Sequence, residues 1–350
     1  MRGPPGRTDS IRSAAIVFSS DSLQIEFRQG PGDRRGLVFV FSALGNRVLA
    51  GDIAGADFLL DTGFDVVNFN SIRNDWFQSL PEQAFEAIDQ RIGADDYQLR
   101  VALGSSMGGF AAICFSRRLK CSRVLAYSPQ FDASPQFDAR FAPATRNLIW
   151  RHPITPDSIA ESCDYCIVYD DRDYDAAHVA KLRALISPDR IREIRLRHAG
   201  HATVFYLYEV GRLKETTLAC VLNEPVSERA LRRDRRRSRQ YLLTLAERVG
   251  ERRPALARRI LALGGDQDAP PRILSWALQR RVPIVTWLAE RSEYARLWLA
   301  GFDEDFYRHV NWDVEVKGID PIAHYIRAGR AERRLIRFRA KRKRSQGRAS

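Results

Sequence analysis

The sequence predicts an α/β protein: a mostly parallel β-sheet with helices on both faces, followed by a small all-α C-terminal region. Three observations predict it. From Ala14 to about Asn223, short apolar runs alternate with helical stretches, the rhythm of strand–helix–strand units. Most of the runs are rich in Val, Ile, Leu and Phe, as strands covered on both faces are. Past Pro225 the strand signal ceases and Arg, Leu and Ala dominate.

In chain order, strands are expected at 14–18, 23–27, 37–41, 66–69, 99–103, 124–127, 165–169 and 193–196. Helices are expected at 50–61, 81–91, 107–119, 175–186 and 203–221. The first two strands have no helix between them, which predicts an antiparallel hairpin at one edge of the sheet. Residues 129–160 break the rhythm with Pro129, Pro135, Pro143, Pro153 and Pro156. An insertion there would lie above the C-terminal edge of the sheet and form a lid or pocket wall. These signals divide the chain into an α/β unit at 1–224, an Arg-rich helical region at 225–300, a compact helical segment at 301–336 and a basic disordered tail at 337–350.

Composition narrows the function classes. With 350 residues and 45% apolar content, the chain can bury a sizeable core. Its net charge of +13 invites a nucleic-acid reading. Much of the excess, however, sits in Arg232, Arg233, Arg235, Arg236, Arg237 and Arg239 and in the tail. No aromatic residues alternate with these arginines to make a stacking platform. A solvated helix face is expected instead, with contact to an anionic membrane surface or an acidic partner left open. The five cysteines, Cys114, Cys121, Cys163, Cys166 and Cys220, imply no disulfide framework. The Cys163–Cys166 pair lacks the second ligand pair that zinc needs, so buried thiols are expected and neither metal nor cofactor is implied. The first residues carry no continuous apolar stretch of a secretory signal, and no run approaches the ~18 residues that cross a bilayer. A cytoplasmic location is the expectation.

The chemistry concentrates in Gly104-Ser105-Ser106-Met107-Gly108. This G-x-S-x-G run lies between an expected strand and an expected helix. A serine raised on a sharp strand-to-helix turn adopts a strained backbone, and glycines two before and two after relieve the crowding. The glycine spacing selects Ser106 over Ser105. The turn also places the Met107 amide at a helix N-terminus, where it can receive an oxyanion. A serine nucleophile needs a base, and the base an acid. His201 lies in the loop after the last strand, at the correct sheet edge, whereas His198 is still on or near the strand. The acid is expected after the preceding strand, in Asp170-Asp171-Arg172-Asp173-Tyr174-Asp175. Asp170 and Asp171 sit near the strand end, where they would shape the turn. Asp173 is the choice, in the loop proper. Asp175 follows closely, though it could instead cap the helix it opens. Serine, acid, histidine is the chain order this architecture requires. A second oxyanion amide is expected from Ser42 or Ala43, after the strand at 37–41. Asn74 and Trp76, after the strand at 66–69, are candidate pocket residues.

Together, the serine turn, the acid loop and the Gly200-His201 loop resemble the α/β-hydrolase superfamily over residues 14–222. The resemblance implies an eight-stranded sheet and a Ser106–Asp173–His201 triad working through an acyl-enzyme. A second resemblance lies in Phe302-Asp303-Glu304-Asp305-Phe306-Tyr307, Asn311-Trp312-Asp313-Val314, Gly318-Ile319-Asp320-Pro321-Ile322-Ala323-His324-Tyr325 and Gly329-Arg330-Ala331-Glu332. This pattern is similar to a short module attached to bacterial glycosyltransferases and other surface-polysaccharide biosynthesis proteins. Trp312 and Arg333 depart from it, standing where proline and glycine are usual. The segment reads as two short helices packed through Phe302, Phe306, Tyr307, Val310, Ile322 and Tyr325, with His324 a packed histidine. The combined expectation is a serine esterase, deacylase or acyltransferase of a surface-glycan pathway, with an acylated small molecule or glycan as substrate and glycan-biosynthesis proteins as possible partners. The alternative is a catalytically inactive scaffold of the same fold.

Overall fold

The computed structural model describes residues 14–32, 35–46, 49–50, 57–93, 97–250, 252–263, 297, 302–304, 307, 320–330 and 336. All eight expected strands form: β1 (Ala15–Ser19), β2 (Leu23–Arg28), β3 (Gly36–Phe41), β4 (Phe64–Ser71), β5 (Arg100–Ser105), β6 (Arg123–Tyr127), β7 (Asp164–Tyr169) and β8 (Ile191–Arg195). They make one sheet in the order β1-β2-β4-β3-β5-β6-β7-β8. The β1–β2 hairpin is antiparallel, as expected, and β2 also meets β4 antiparallel. Every other pairing is parallel. Every residue of β3 and β4 is buried. The β3 run therefore reads as continuous apolar text, with no polar face to alternate with, whereas β4 buries Asp65, Asn68 and Asn70 among its apolar residues.

Helices flank the sheet: α1 (Asp57–Asp61), α2 (Glu82–Arg91), α3 (Met107–Cys114), α4 (Ala142–Thr145), α5 (Asp175–Leu185), α6 (Thr203–Glu209) and α7 (Leu213–Val221). The helix expected at 203–221 is two helices. Gly211, at φ +71°, ends the first, and the Arg212 amide turns back to the Leu207 carbonyl at 2.8 Å. Of the helix expected at 50–61, residues 51–56 lie outside the described residues. The five cysteines are free and buried. Burial pushes the Cys114 and Cys163 thiols up to about 12, which leaves them inert near neutral pH.

The chain divides into two compact units, Met1–Leu245 and Ala246–Ser350. Residues 227–244 are tied to the first. The Tyr206 hydroxyl donates to the Leu231 carbonyl at 2.7 Å, Ser238 Oγ donates to Glu209 at 2.7 Å, and Gln240 Nε2 donates to the Ala199 carbonyl at 3.0 Å. Here α8 (Glu228–Arg233) and the turn after it form an open cleft lined by Arg229, Arg232, Arg233, Arg235 and Arg236. Next come α9 (Arg239–Gly250) and α10 (Pro254–Ala262). In the second unit Phe302, Tyr307, Ile322 and Ile326 form a small apolar cluster, and His324 Nδ1 lies 3.1 Å from the Tyr307 hydroxyl. Phe306, Val310, most of 264–300 and the tail at 337–350 lie outside the described residues. Among the described residues, no helix is long and apolar enough to cross a membrane.

Candidate active site

The serine turn forms as its glycines require. Ser106 follows β5 directly and precedes α3, with φ 55° and ψ −118°, a region that L-residues other than glycine rarely occupy. A Cβ on Gly104 would strike the Gly108 carbonyl oxygen, and one on Gly108 would strike the Phe41 carbonyl oxygen. The two glycines therefore let α3 lie against the end of β5 and against β3. The Ser106 amide donates to the Tyr127 carbonyl at 2.8 Å and its carbonyl accepts from the Phe110 amide at 2.9 Å. Local pairing thus holds the strained turn in place. The Met107 amide stands at the first position of α3, where an amide has no partner within its own helix.

His201 meets this serine. Its Nε2 lies 2.9 Å from Ser106 Oγ. Two features hold its loop: Gly200 at φ +68°, and the Gly200 amide donating to Asp170 Oδ2 at 2.9 Å. Asp170 also accepts from the Arg172 amide at 2.9 Å, so it shapes the turn as expected. A Cβ on Gly200 would lie 2.8 Å from Thr244 Oγ1 and 3.1 Å from Gln240 Nε2. His198 packs edge-on against Tyr241, with ring centroids 6.1 Å apart.

The acid differs from the first choice. His201 Nδ1 donates to Asp175, at 2.9 Å from Oδ1 and 2.8 Å from Oδ2. Asp173 does not reach the imidazole. The Asp173 amide closes a turn onto the Asp170 carbonyl at 3.1 Å, its carboxylate accepts from the Tyr174 amide at 2.6 Å, and Arg140 Nη1 stands 3.6 Å away. The turn leaves the Asp173 side chain 18% exposed, whereas Asp175, as the first residue of α5, is fully buried. Tyr174 holds the cap position, so Asp175 is not the N-cap. Burial alone would push the Asp175 carboxyl up. The hydrogen bond from His201 and the Arg140 guanidinium more than offset this, and it sits below the usual carboxylate range.

Of the oxyanion candidates, Ser42 has its polar groups paired. The Ser42 amide donates to the Phe69 carbonyl at 3.1 Å, and Ser42 Oγ accepts from the Ser71 amide at 3.1 Å. Ser42 is therefore committed to extending the sheet. Ala43 is the remaining candidate for the second donor, and its carbonyl accepts from the Asn46 amide at 3.3 Å. Asn74 sits on the loop after β4. Its Oδ1 accepts from the Gly45 amide at 2.8 Å and braces the loop that carries Ala43. Trp76 is fully buried and reaches the site through another residue: its Nε1–H donates to Gln130 Oε1 at 3.1 Å.

Gln130 is the functional residue that sequence reasoning missed. It is fully buried, and its Nε2 lies 3.0 Å from Ser106 Oγ and 3.4 Å from His201 Nε2. The indole of Trp76 can only donate, so it fixes which end of the amide faces the serine. Ser106 Oγ therefore accepts from Gln130, and its one proton is left for His201 Nε2. The only sequence signal was a glutamine three positions past the end of β6, at the mouth of the insertion. That insertion closes over the site as expected. Phe141 lies with its ring centroid 5.7 Å from that of His201 and 5.3 Å from that of Trp76.

No protein-family model and no curated protein matches the chain. Among solved structures, it is similar to the capsule O-acetyltransferase of Neisseria meningitidis serogroup A, at 13% identity over 62% of this chain and 97% of that one, with TM-score 0.45. It is similar to an α/β serine hydrolase without a lid from Xanthomonas campestris, at 12% identity over 64% and 100%, with TM-score 0.40. The acylaminoacyl peptidase of Pyrococcus horikoshii shows 10% identity over 63% of this chain and 44% of that one, with TM-score 0.46. By its own sheet, eight-stranded, mostly parallel and flanked by helices, the chain is of the α/β class. The likeness carries no chemistry, which must come from the residues of this chain.

Proposed function

We propose that this protein is a serine enzyme of acyl chemistry, an esterase, deacylase or acyltransferase working through an acyl-enzyme on Ser106. One observation carries the reading: Asp175, His201 and Ser106 form a continuous hydrogen-bonded run that ends on a serine of strained backbone. In the proposed reaction, His201 Nε2 takes the Ser106 proton as Oγ attacks the acyl carbonyl. The Met107 and Ala43 amides receive the developing oxyanion. Asp175 keeps the imidazole in the tautomer with Nε2 free and stabilises the imidazolium. Held below the usual carboxylate range, it stays anionic as the imidazole charges, which suits that task. Gln130 donates to Oγ and so stabilises negative charge there, both as the serine is deprotonated and when it later departs. The imidazolium protonates the leaving group. Water or an acceptor hydroxyl, deprotonated by His201, then attacks the ester and releases Ser106.

For the acyl donor or acceptor we take a glycan of a bacterial surface-polysaccharide pathway, on the strength of the C-terminal segment's resemblance and its packed Phe302, Tyr307 and Ile322. Labelling with a fluorophosphonate probe tests the chemistry. Wild type is expected to form one adduct, on the Ser106 peptide by mass spectrometry, and Ser106→Ala none. Undiminished labelling of Ser106→Ala would overturn the assignment. An unlabelled, folded wild type would favour a scaffold of the same fold.

A further inference from the structure

Beyond the triad a second buried charge network begins, and a single side chain joins the two. His178, on α5, is 1% exposed. Its Nδ1 accepts from the Phe131 amide at 3.0 Å, so the ring carries its proton on Nε2 and donates to Asp138 Oδ2 at 2.9 Å. Asp138 and Arg140 both come from the inserted segment. Arg140 Nε donates to both Asp138 oxygens at 3.0 Å, and Nη2 donates to Asp138 Oδ2 at 2.7 Å. The same Nη2 donates to Asp175 Oδ1 at 2.9 Å. The guanidinium lies over the rings of Phe141 and Tyr174, 5.3 and 5.2 Å from their centroids. It faces three carboxylates: Asp138, Asp173 and Asp175. A planar fork that bonds two carboxylates at once fixes their relative position as a point charge would not.

We propose that Arg140 is a positioning residue of the active site: it couples the His178–Asp138 pair of the closing segment to Asp175 and holds that carboxylate in register with His201. The inference rests on the acyl-enzyme reading above. Asp175 is buried, and its oxygens accept from His201 and Arg140. Without Arg140, one of those oxygens loses its second donor and the carboxylate is free to turn off the imidazole. There is an electrostatic consequence as well. The groups facing His201 are Asp175, Ser106, the neutral amide of Gln130 and the Phe141 ring. The groups facing Asp175 are His201 and Arg140. The positive charge of Arg140 weakens the field by which Asp175 favours the imidazolium. Its removal therefore changes the balance between the two charge states of the imidazole in favour of the charged one. The closing segment thus supplies part of the working site as well as a cover for it.

The test is the second-order rate of fluorophosphonate labelling measured against pH. Arg140→Gln is expected to react about 10²-fold more slowly at neutral pH, with the acid limb of its profile displaced upward. Arg140→Lys keeps the charge and loses the fork, so it is expected to slow labelling with the limb in place. Asp138→Asn leaves Arg140 to act on Asp175 alone, and its limb is expected to move the other way, to lower pH. A merely structural defect would lower all three rates and move no limb. Arg140→Gln labelled at the wild-type rate, or slowed with an unmoved limb, would overturn the proposal. If Arg140→Gln does not fold, the direction of the Asp138→Asn limb decides alone, and a limb unmoved or displaced upward overturns it. A wild type that is itself unlabelled would instead sink the acyl-enzyme reading.

Discussion

Asp173 and Asp175 stand two residues apart with similar surroundings in the sequence, yet they do different work. The first lies in the Asp170–Asp173 turn and pairs loosely with Arg140. The second is sealed behind the imidazole. Asp175→Asn keeps the shape but lets Nδ1 lose its anionic acceptor, so the wrong imidazole tautomer is favoured. The expected loss in turnover of an activated ester is about 10⁴-fold. Asp173→Asn should stay within a few-fold of wild type. Equal losses in the two variants would mean that the carboxylates act as a unit. Neither residue type nor chain order separates them. Nor does either reveal Gln130, a side chain with no charge to betray its role. Ser106 and His201 were legible because each depends on a local pattern: glycines around a sharp turn, and a Gly-His loop past a strand end.

At the scale of elements, the strand–turn–helix β5–α3 depends on absent side chains. Gly108 lets α3 approach the end of β3, where a Cβ would collide with the Phe41 carbonyl oxygen and lie 3.0 Å from that of Ser42. These are backbone atoms on a central strand and cannot swing aside. Gly108→Ala is expected to lose about 2–3 kcal/mol of stability in urea titration and to label more slowly, because the Met107 and Ala43 amides shift together. A Gly108→Ala protein as stable and reactive as its parent would show that α3 can slide. The central strands β3 and β6 were easy to read because burial on both faces favours runs of apolar residues. The break between α6 and α7 was harder, since it turns on one glycine inside an otherwise helical run. The roles of Ser42 and Ala43 depend on where the β3–β4 ladder stops, a matter of pairing between strands.

For the whole molecule, the linked network of Asp138, Arg140, Asp175 and His178 joins the insertion to the sheet edge. Burial opposes ionisation of Asp138, but His178 and Arg140 hold its carboxyl well below the ordinary value of 3.8, and Asp175 is also held below that value. Such groups bind protons more readily in the unfolded chain. Their contribution to stability is complete above the unfolded value and is lost as pH falls through the folded one. The urea midpoint should therefore hold steady down to about pH 5 and fall below about pH 4. Asp138→Asn should be weaker at neutral pH but lose less on the acid side. A wild-type midpoint unchanged between pH 5 and pH 2 would show that these carboxylates do not couple to folding.

What the amino-acid order determined by itself was the sheet, its edge hairpin, the position of the insertion, and the serine and histidine at the sheet's C-terminal edge. Each follows from patterns within a few residues: apolar runs, glycine spacing, clustered prolines. Only the tertiary structure brought Asp175 to the imidazole, paired the Ser42 amide with the sheet, and set Gln130 against Ser106 and Arg140 against Asp175. Gln130 meets Ser106 across 24 positions and Arg140 meets Asp175 across 35. The reason is physical. Local sequence sets which way the backbone turns, but the partner a polar side chain finds on burial depends on which distant segments the closed fold brings within 3 Å.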